Sequence, residues 1–293
     1  RSIPPRDARQ QFNHIVFQIL KMEHLDLQKG EMPSPEEIEK WKSHPNIYQR
    51  VVDSISPELF IVDEIVETSM LVATGGTSLN GKRARIHAAY MGDAGQGKSE
   101  HVKAMNKIIL GSGMIVGINI TGKGLTIGEH TMYNGTKVTM AGFLPSHTGN
   151  LCIFDEFDKM KPEDQEHVLE AMEQGTCSQA KTGTGSGITM PADCSCLFAG
   201  NPKNGKFNPN LPNIMDNFRL STPFINRLDI LWLQVDSNDR DADREGIQHI
   251  RNYNPDDYMS LPELQRYFTY TKSLNVSIPK DLEPMIDELY LKM

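Results

Sequence analysis

Residues 92–99 read GDAGQGKS, and this stretch decides the fold of the chain. It fits the pattern G-x-x-x-x-G-K-[ST], with a strand-like apolar run before it and a helix-forming run after it. The glycines allow backbone N–H groups to converge on phosphate oxygens, while Lys98 would reach the β- and γ-phosphates and the Ser99 hydroxyl would help to hold Mg²⁺. A glycine-rich turn that fits by chance is the alternative. The predicted nucleotide-binding residues are Gly92, Asp93, Ala94, Gly95, Gln96, Gly97, Lys98, Ser99 and, from the next motif, Asp155.

A second motif lies in the run NLCIFDEFDKM, residues 150–160, where an apolar strand ends in Asp155 and Glu156. Asp155 would bind the metal directly or through a water molecule, and Glu156 would polarise the attacking water. The alternative is a strand end followed by an acidic helix cap. Two motifs at strand ends place the predicted site at the carboxyl edge of a parallel sheet. A third strand, CSCLFAGNP, ends in Asn201, which could orient the hydrolytic water, although Asn-Pro is usually only a turn.

Five apolar runs predict an α/β fold with a parallel five-stranded sheet between helices. The predicted connecting helices cover residues 99–110 and 161–174. Near the amino end, NHIVFQILKMEHL predicts a strand, and Ser34, Pro35 and Glu37 predict a capped helix start. Two more helices are predicted, one in NIYQRVVDSI and one over residues 58–75. The five apolar runs are RIHAAYMG, MIVGINI, NLCIF, CSCLFAG and DILWLQV.

Composition limits the classes of function. The net charge of −8 excludes a basic field over the whole surface, so any contact with nucleic acid must be local. The apolar runs are shorter than a membrane span, so no membrane association is expected. Four clustered cysteines predict reduced, mostly buried thiols. The chain starts without methionine and shows no cleavable signal, so we expect a fragment of a longer intracellular protein.

Several runs together resemble the motor domain of minichromosome maintenance (MCM) helicases of the archaeal type, which belong to the AAA+ ATPases. They are DEFDKM, EAMEQGTCSQAKTG, AGNPKNGKF and STPFINRLDIL, and the resemblance extends from about Ser34 to the end. It implies three parts: residues 1–33 as a remnant of an amino-terminal DNA-binding domain, 34–236 as the AAA+ ATPase core, and 237–293 as an incomplete helical lid. It also implies a homo-oligomer, a hexameric ring that binds ATP and Mg²⁺ between its subunits.

The resemblance assigns catalytic roles to Lys98, Glu156, Asn201 and Arg227. Arg227 matches the arginine finger, whose guanidinium would come from the neighbouring subunit and stabilise charge on the transferred phosphoryl group. The alternative is a surface arginine paired with Asp229. The metal ligands would be Ser99 and Asp155, and weaker candidates for the subunit interface are Arg219 and Arg244.

Two hairpins bear on DNA binding. The Asn134-Gly135 turn in EHTMYNGTKVTM predicts the first. The second lies in CSQAKTGTGSGITM and matches the family hairpin that faces the central channel. Lys137, Lys181 and the backbone amides of 183–187 would touch DNA phosphates. Glycine, threonine and serine replace the basic residue that the family carries near this tip, and solvated loops are the alternative.

The sequence therefore predicts an ATP-dependent DNA helicase motor that moves DNA through a ring pore during replication, with loading partners unspecified. One alternative is a degenerate MCM-like subunit that uses ATP binding as a structural switch with little hydrolysis. Another is an AAA+ remodeller that acts on protein, against which the family-specific run 155–174 argues. The expected location is the cytoplasm or nucleoid in a prokaryote and the nucleus in a eukaryote.

Overall fold

The structure is a computed structural model that describes residues 30–76, 83–132, 134–180, 187–236 and 240–292. The strand predicted in NHIVFQILKMEHL lies outside these residues. The helices are α1 (Pro35–Ser43), α2 (Ile47–Ser54), α3 (Asp63–Thr74), α4 (Lys98–Ile108), α5 (Gly122–Leu125), α6 (Phe143–Ser146), α7 (Pro162–Gln174), α8 (Thr222–Ile225), α9 (Arg240–Asn252), α10 (Leu261–Ser273) and α11 (Glu283–Lys292). The strands are β1 (His87–Gly92), β2 (Gly113–Val116), β3 (Ile127–Thr131), β4 (Lys137–Ala141), β5 (Leu151–Asp155), β6 (Thr176–Ala180), β7 (Gly187–Pro191), β8 (Ser195–Gly200) and β9 (Ile230–Gln234).

The central sheet contains the five predicted strands in the order β2-β5-β8-β1-β9. Every neighbouring pair is parallel. β1, β5 and β8 are buried along their whole length, which explains why they read as continuous apolar runs rather than as alternating patterns. The predicted α/β fold with a parallel five-stranded sheet is confirmed.

Successive residues of the strands pack on opposite faces of the sheet, because side chains alternate along a strand. In β1, Ala88 and Tyr90 join one core cluster, whereas Ala89 and Met91 join the other. The first cluster is closed by helices α1 to α4 and α10. The second is closed by α7 and by stacked phenylalanine rings that include Phe154 and Phe198, whose centroids are 4.9 Å apart. Both faces of the sheet are therefore covered.

The predicted cap of α1 is confirmed, since Ser34 Oγ accepts from the Glu37 amide at 3.2 Å and Glu37 Oε2 accepts from the Ser34 amide at 3.0 Å. The predicted start of the third helix at residue 58 is wrong, because α3 begins at Asp63. Ser56 has a left-handed backbone with a φ of 57°, and Val62 is extended, so residues 55–62 leave the helical conformation.

Both predicted hairpins are present. β3 and β4 pair antiparallel around the Asn134-Gly135 turn, where Gly135 has a φ of 81°. β6 and β7 pair antiparallel, and the tip at 181–186 lies outside the described residues. At the carboxyl end, α10 packs on α1 through the Trp41 and Tyr267 rings, which meet edge to face at 5.3 Å.

The four cysteines are free and buried, as predicted. None of the helices in the described ranges combines the length and the apolar character that crossing a bilayer requires.

Candidate nucleotide site

The GDAGQGKS loop connects the carboxyl end of β1 to the first turn of α4. Gly92 has no room for a side chain, because a Cβ there would overlap the backbone carbonyl of Gln234 at the end of β9. Gly95 and Gly97 have φ values of 85° and 75°, a conformation that favours glycine. Gly97 is also the N-cap of α4, so the loop ends at a helix amino terminus, where backbone N–H groups are free to bind an anion.

Lys98 lies inside this loop and is only 8% exposed. Its Nζ donates hydrogen bonds to the backbone carbonyls of Gly92, at 2.9 Å, and of Asp93. Burial lowers the pKa of Lys98, and the carboxylates of Asp93, Asp158 and Asp155 oppose this shift. The structure thus places a cation at the centre of the loop, where the sequence predicts phosphate.

The second motif meets the loop at the carboxyl edge of the sheet. Ser99 Oγ donates to Asp155 Oδ1 at 3.0 Å, and the same carboxylate oxygen accepts from the Glu156 amide at 2.9 Å. Glu156 has a left-handed backbone with a φ of 53°, which a non-glycine residue rarely adopts. Its carboxylate forms an ion pair with Lys159 at 2.5 Å. This contact raises the pKa of Lys159.

Asn201 follows β8, and β8 lies between the two strands that carry these motifs. Its amide donates to Asp158 Oδ1 at 2.9 Å, which connects the residue to the turn after β5. The three strand ends named by the sequence motifs are therefore neighbours in the sheet. Asp158 is missing from the residues predicted for the site, although its place three positions after Asp155 in the DEFDKM run was a usable signal.

A cavity of about 300 Å³ lies between α2, the 55–62 segment and helix α9. The cavity is adjacent to the phosphate loop, since a side-chain methyl of Leu59 and one of Ile61 each approach the Cβ position of Gly97 to 3.8 Å. His249 of α9 contacts the Pro57 carbonyl through Nε2 at 2.8 Å. This cavity was not predicted, because the sequence indicated a regular helix over residues 58–75.

Arg227 lies at the opposite edge of the sheet. Arg227 precedes β9, and the first residue of β9, Ile230, pairs with Ala88 in β1. The phosphate loop begins at Gly92, four residues after Ala88. At ~3.3 Å per residue, the Ala88–Ile230 pair is about 13 Å from Gly92 along the sheet. Arg227 therefore sits far from the phosphate loop of its own chain.

The partner of Arg227 is Glu173 at the end of α7. Arg227 Nε and Nη2 lie 3.2 and 2.5 Å from Glu173 Oε2, and Arg227 Nη1 donates to the Pro223 carbonyl at 2.8 Å. The alternative pairing of Arg227 with Asp229 is wrong. The Asp229 carboxylate instead accepts from Arg83 at 3.2 Å and from the His87 amide at 2.8 Å, because the start of β9 lies beside the start of β1.

A sequence model of the MCM P-loop domain matches residues 34–254, which is more than half of the chain. The chain belongs to the MCM family. The family match covers both sequence motifs, Asn201 and Arg227. The predicted resemblance and the AAA+ fold class are thereby confirmed.

Similar proteins include three curated MCM proteins. DNA replication licensing factor mcm7-B of Xenopus laevis is 30% identical over 96% of this MCM chain and 40% of its own length. The mcm7 protein of Schizosaccharomyces pombe is 28% identical, with 96% and 38% covered. MCM6 of Oryza sativa subsp. indica is 29% identical, with 91% and 33% covered. The chain thus spans at most 40% of the length of these relatives. The archaeal type remains a prediction.

The remaining predicted residues of this MCM chain are Lys137, Lys181, Arg219 and Arg244. The Lys137 side chain and the whole of Lys181 lie outside what the structure describes. Arg244 is exposed on α9, where it pairs with Asp241 at 2.9 Å. Arg219 is exposed as well, and its carbonyl accepts from Gln165 at 3.3 Å.

Proposed function

We propose that this MCM chain is an ATP-dependent motor that acts on DNA in replication. The single observation that supports it best is the 3.0 Å hydrogen bond from Ser99 Oγ to Asp155 Oδ1. This bond joins the phosphate loop to the acidic end of β5, two elements that a nucleoside triphosphatase needs at one place. The names of the three relatives, DNA replication licensing factors, support the assignment to replication.

ATP would bind with its phosphates on the loop and its base in the adjacent cavity. Backbone amides at the start of α4 and the Lys98 ammonium would bind the phosphate oxygens. The base would enter the cavity beside Leu59, Ile61 and His249, because Leu59 and Ile61 line that cavity and also lie next to Gly97, and its volume suits a planar ring system.

The residues present also fit Mg²⁺. Ser99 Oγ and the Asp155 carboxylate are hard oxygen ligands, and Mg²⁺ in nucleotide sites is commonly held by one or two protein ligands together with phosphates. Ser99 and Asp155 would hold the ion. When bound, Mg²⁺ neutralises negative charge on the β- and γ-phosphates.

Hydrolysis would use three more side chains. Glu156 would polarise the attacking water, and Asn201 at the end of the neighbouring strand would orient it. Arg227 would stabilise charge on the transferred phosphoryl group from an adjacent subunit. This division between subunits is supported by the position of Arg227, which precedes β9 and therefore lies at the end of the sheet opposite to its own phosphate loop.

A ring is the assembly in which each subunit completes the site of the next. We propose a hexamer with DNA in its pore, residues 34–236 as the ATPase core and 237–293 as the lid. DNA contact through Lys137 and Lys181 remains a hypothesis, as do the homo-oligomer and the location in nucleoid or nucleus.

The test is ATP hydrolysis by mixtures of two inactive variants. Arg227→Ala removes the finger and leaves Glu156 intact, whereas Glu156→Gln removes the carboxylate that would polarise water and leaves the finger intact. Random mixing at equal concentrations makes roughly one interface in four complete, so about a quarter of the native activity should return. Lys42→Ala is the control, because Lys42 pairs with Glu39 on the surface of α1 and should leave activity unchanged.

Two outcomes would contradict this proposal, the first for the shared site and the second for ATP hydrolysis. If the mixture stays as inactive as its components, Arg227 does not act across an interface. If native protein binds ATP but hydrolyses none at any concentration, with or without single-stranded DNA, the chain is a nucleotide-gated structural subunit. Fluorescent ATP binding, measured in parallel, separates this second outcome from loss of the binding site.

A further inference from the structure

Asp93 belongs to the phosphate loop, but its side chain serves other segments. The side chain is buried, at 5% exposure. Its Oδ1 accepts from the Phe207 amide at 2.6 Å, and its Oδ2 accepts from the Asp236 amide at 3.0 Å. Both carboxylate oxygens are thus engaged by backbone N–H groups of segments that are distant in the sequence, rather than by groups of the loop itself.

The two backbone donors lie in segments that adjoin other parts of the candidate nucleotide site. Phe207 lies a short distance after Asn201, and Asp236 lies between β9 and α9, the helix that lines the cavity with His249. The Asp93 amide also donates to the Gln234 carbonyl at 3.0 Å. Asp93 is consequently the point where the phosphate loop, the segment after Asn201 and the entry to α9 are joined.

The segment 201–208 has other anchors, and among the described residues these join it to elements other than the phosphate loop. Asn201 is held at its amide by Asp158. Further along, the Lys203 amide donates to the Asn217 carbonyl, and the Asn208 amide donates to Asn217 Oδ1, both at 2.7 Å. Within the residues that the structure describes, Asp93 provides the direct hydrogen bond between this segment and the loop.

Only a carboxylate suits this position. Two N–H donors approach the two oxygens, and an ionised carboxyl group has acceptors on both. An asparagine of nearly the same shape would present its NH₂ group to one of these donors, leaving a backbone N–H without an acceptor.

We propose that Asp93 is a positioning residue for ATP hydrolysis, which sets the place of Asn201 and of the entry to α9 relative to the phosphate loop. The proposal rests on the proposed function. Its physical basis is that hydrolysis requires the attacking water and the γ-phosphate to be aligned closely, and Asn201 and the loop contribute one side each.

The test is Asp93→Asn in the full chain. We expect kcat for ATP hydrolysis to fall about tenfold, while KM and the affinity for a fluorescent ATP analogue change less than about threefold. Combined with Asn201→Ala, the variant should lower kcat no further than the larger single effect, because both changes remove the same alignment.

Asp164→Asn is the matched control, since Asp164 Oδ1 accepts from the Gly122 amide at 2.6 Å between α7 and α5. It should leave kcat unchanged. The proposal is overturned if Asp164→Asn lowers kcat equally, if Asp93→Asn raises KM alone, or if the losses of Asp93→Asn and Asn201→Ala multiply.

Lys98→Ala separates this proposal from the function on which it rests. If Lys98→Ala still binds the analogue as native protein does, the nucleotide site itself is misassigned. If binding is lost in Lys98→Ala but Asp93→Asn behaves as native protein, only the role of Asp93 is refuted.

Discussion

Two buried histidines should make this chain sensitive to mild acid. His101, in α4, is fully buried, and its ring nitrogens lie 3.1 Å from Ser56 Oγ and 2.7 Å from Ser69 Oγ. Ser69 continues the network to the Tyr90 hydroxyl at 2.5 Å. Burial lowers the pKa of His101 to about 4, from an ordinary value of 6.5.

His87 is buried at the start of β1. Its Nδ1 accepts from the Cys196 amide at 3.2 Å, so Nε2 carries the proton and donates to the Met172 carbonyl at 3.2 Å. Burial, followed by the nearby charge of Arg83, lowers the pKa of His87 to about 4. Both imidazoles are therefore neutral in the folded chain at neutral pH.

Below pH 6.5 the unfolded chain takes up protons on both histidines, whereas the folded chain does not until the pH approaches 4. The stability that neutral burial contributes is thus complete above pH 6.5 and is lost as the pH falls to about 4. A shift of this size corresponds to about 3 kcal/mol for each histidine. The two together amount to about 6–7 kcal/mol, comparable to the whole stability of an ordinary domain.

Urea unfolding at a series of pH values from 7 to 4.5 measures this effect. In His101→Gln, which cannot titrate, the slope of the unfolding free energy against pH should fall by about 1 kcal/mol per pH unit near pH 5. Met105→Leu, in the same buried helix face, is the control, because it alters packing without removing a titrating group. An unchanged slope in His101→Gln would refute the reasoning.

Three further predictions concern the loop, the metal and the helical core. Gly92→Ala should abolish binding of a fluorescent ATP analogue, because its Cβ would overlap the Gln234 carbonyl. Gly95 has open space around it but a φ of 85°, so Gly95→Ala should lower the free energy of unfolding by only about 1–2 kcal/mol. Ser99→Ala should raise the Mg²⁺ concentration for half-maximal ATP hydrolysis about tenfold, and an unchanged requirement would exclude this ligand. Trp41→Ala should lower the unfolding free energy by about 3–5 kcal/mol, measured by urea titration, because the buried indole packs between α1 and α10. A loss below about 1 kcal/mol would contradict this packing.

The phosphate loop and the five strands could be predicted because their signals are local. Gly95 and Gly97 occupy backbone conformations that few other residues adopt, so the need for glycine appears in the sequence itself. Strands buried on both faces require uninterrupted apolar residues, as β1 and β8 show. The cap at Ser34 was predictable for the same reason, since its partners lie within one helical turn.

The errors and omissions concern long-range contacts. Residues 58–62 have helix-like composition, but Ser56 turns left-handed, and the side chains that follow it pack beside Gly97 instead. The alternative partner that the sequence offered for Arg227 was the nearby Asp229, whereas the structure pairs Arg227 with Glu173 of α7. No local pattern distinguishes such a partner from the many other acidic residues of the chain.

The sequence by itself determined which segments form strands, where the phosphate loop turns and which residue types are offered for phosphate and metal. These features depend on backbone preference and on burial within short windows. Only the tertiary structure decided the strand order β2-β5-β8-β1-β9, which places Asn201 between the two motifs, and the pairing of Arg227 with Glu173. The physical reason is that strand order and the bonds of Asp93 to Phe207 and Asp236 depend on how distant segments pack together, and that packing is a property of the whole chain.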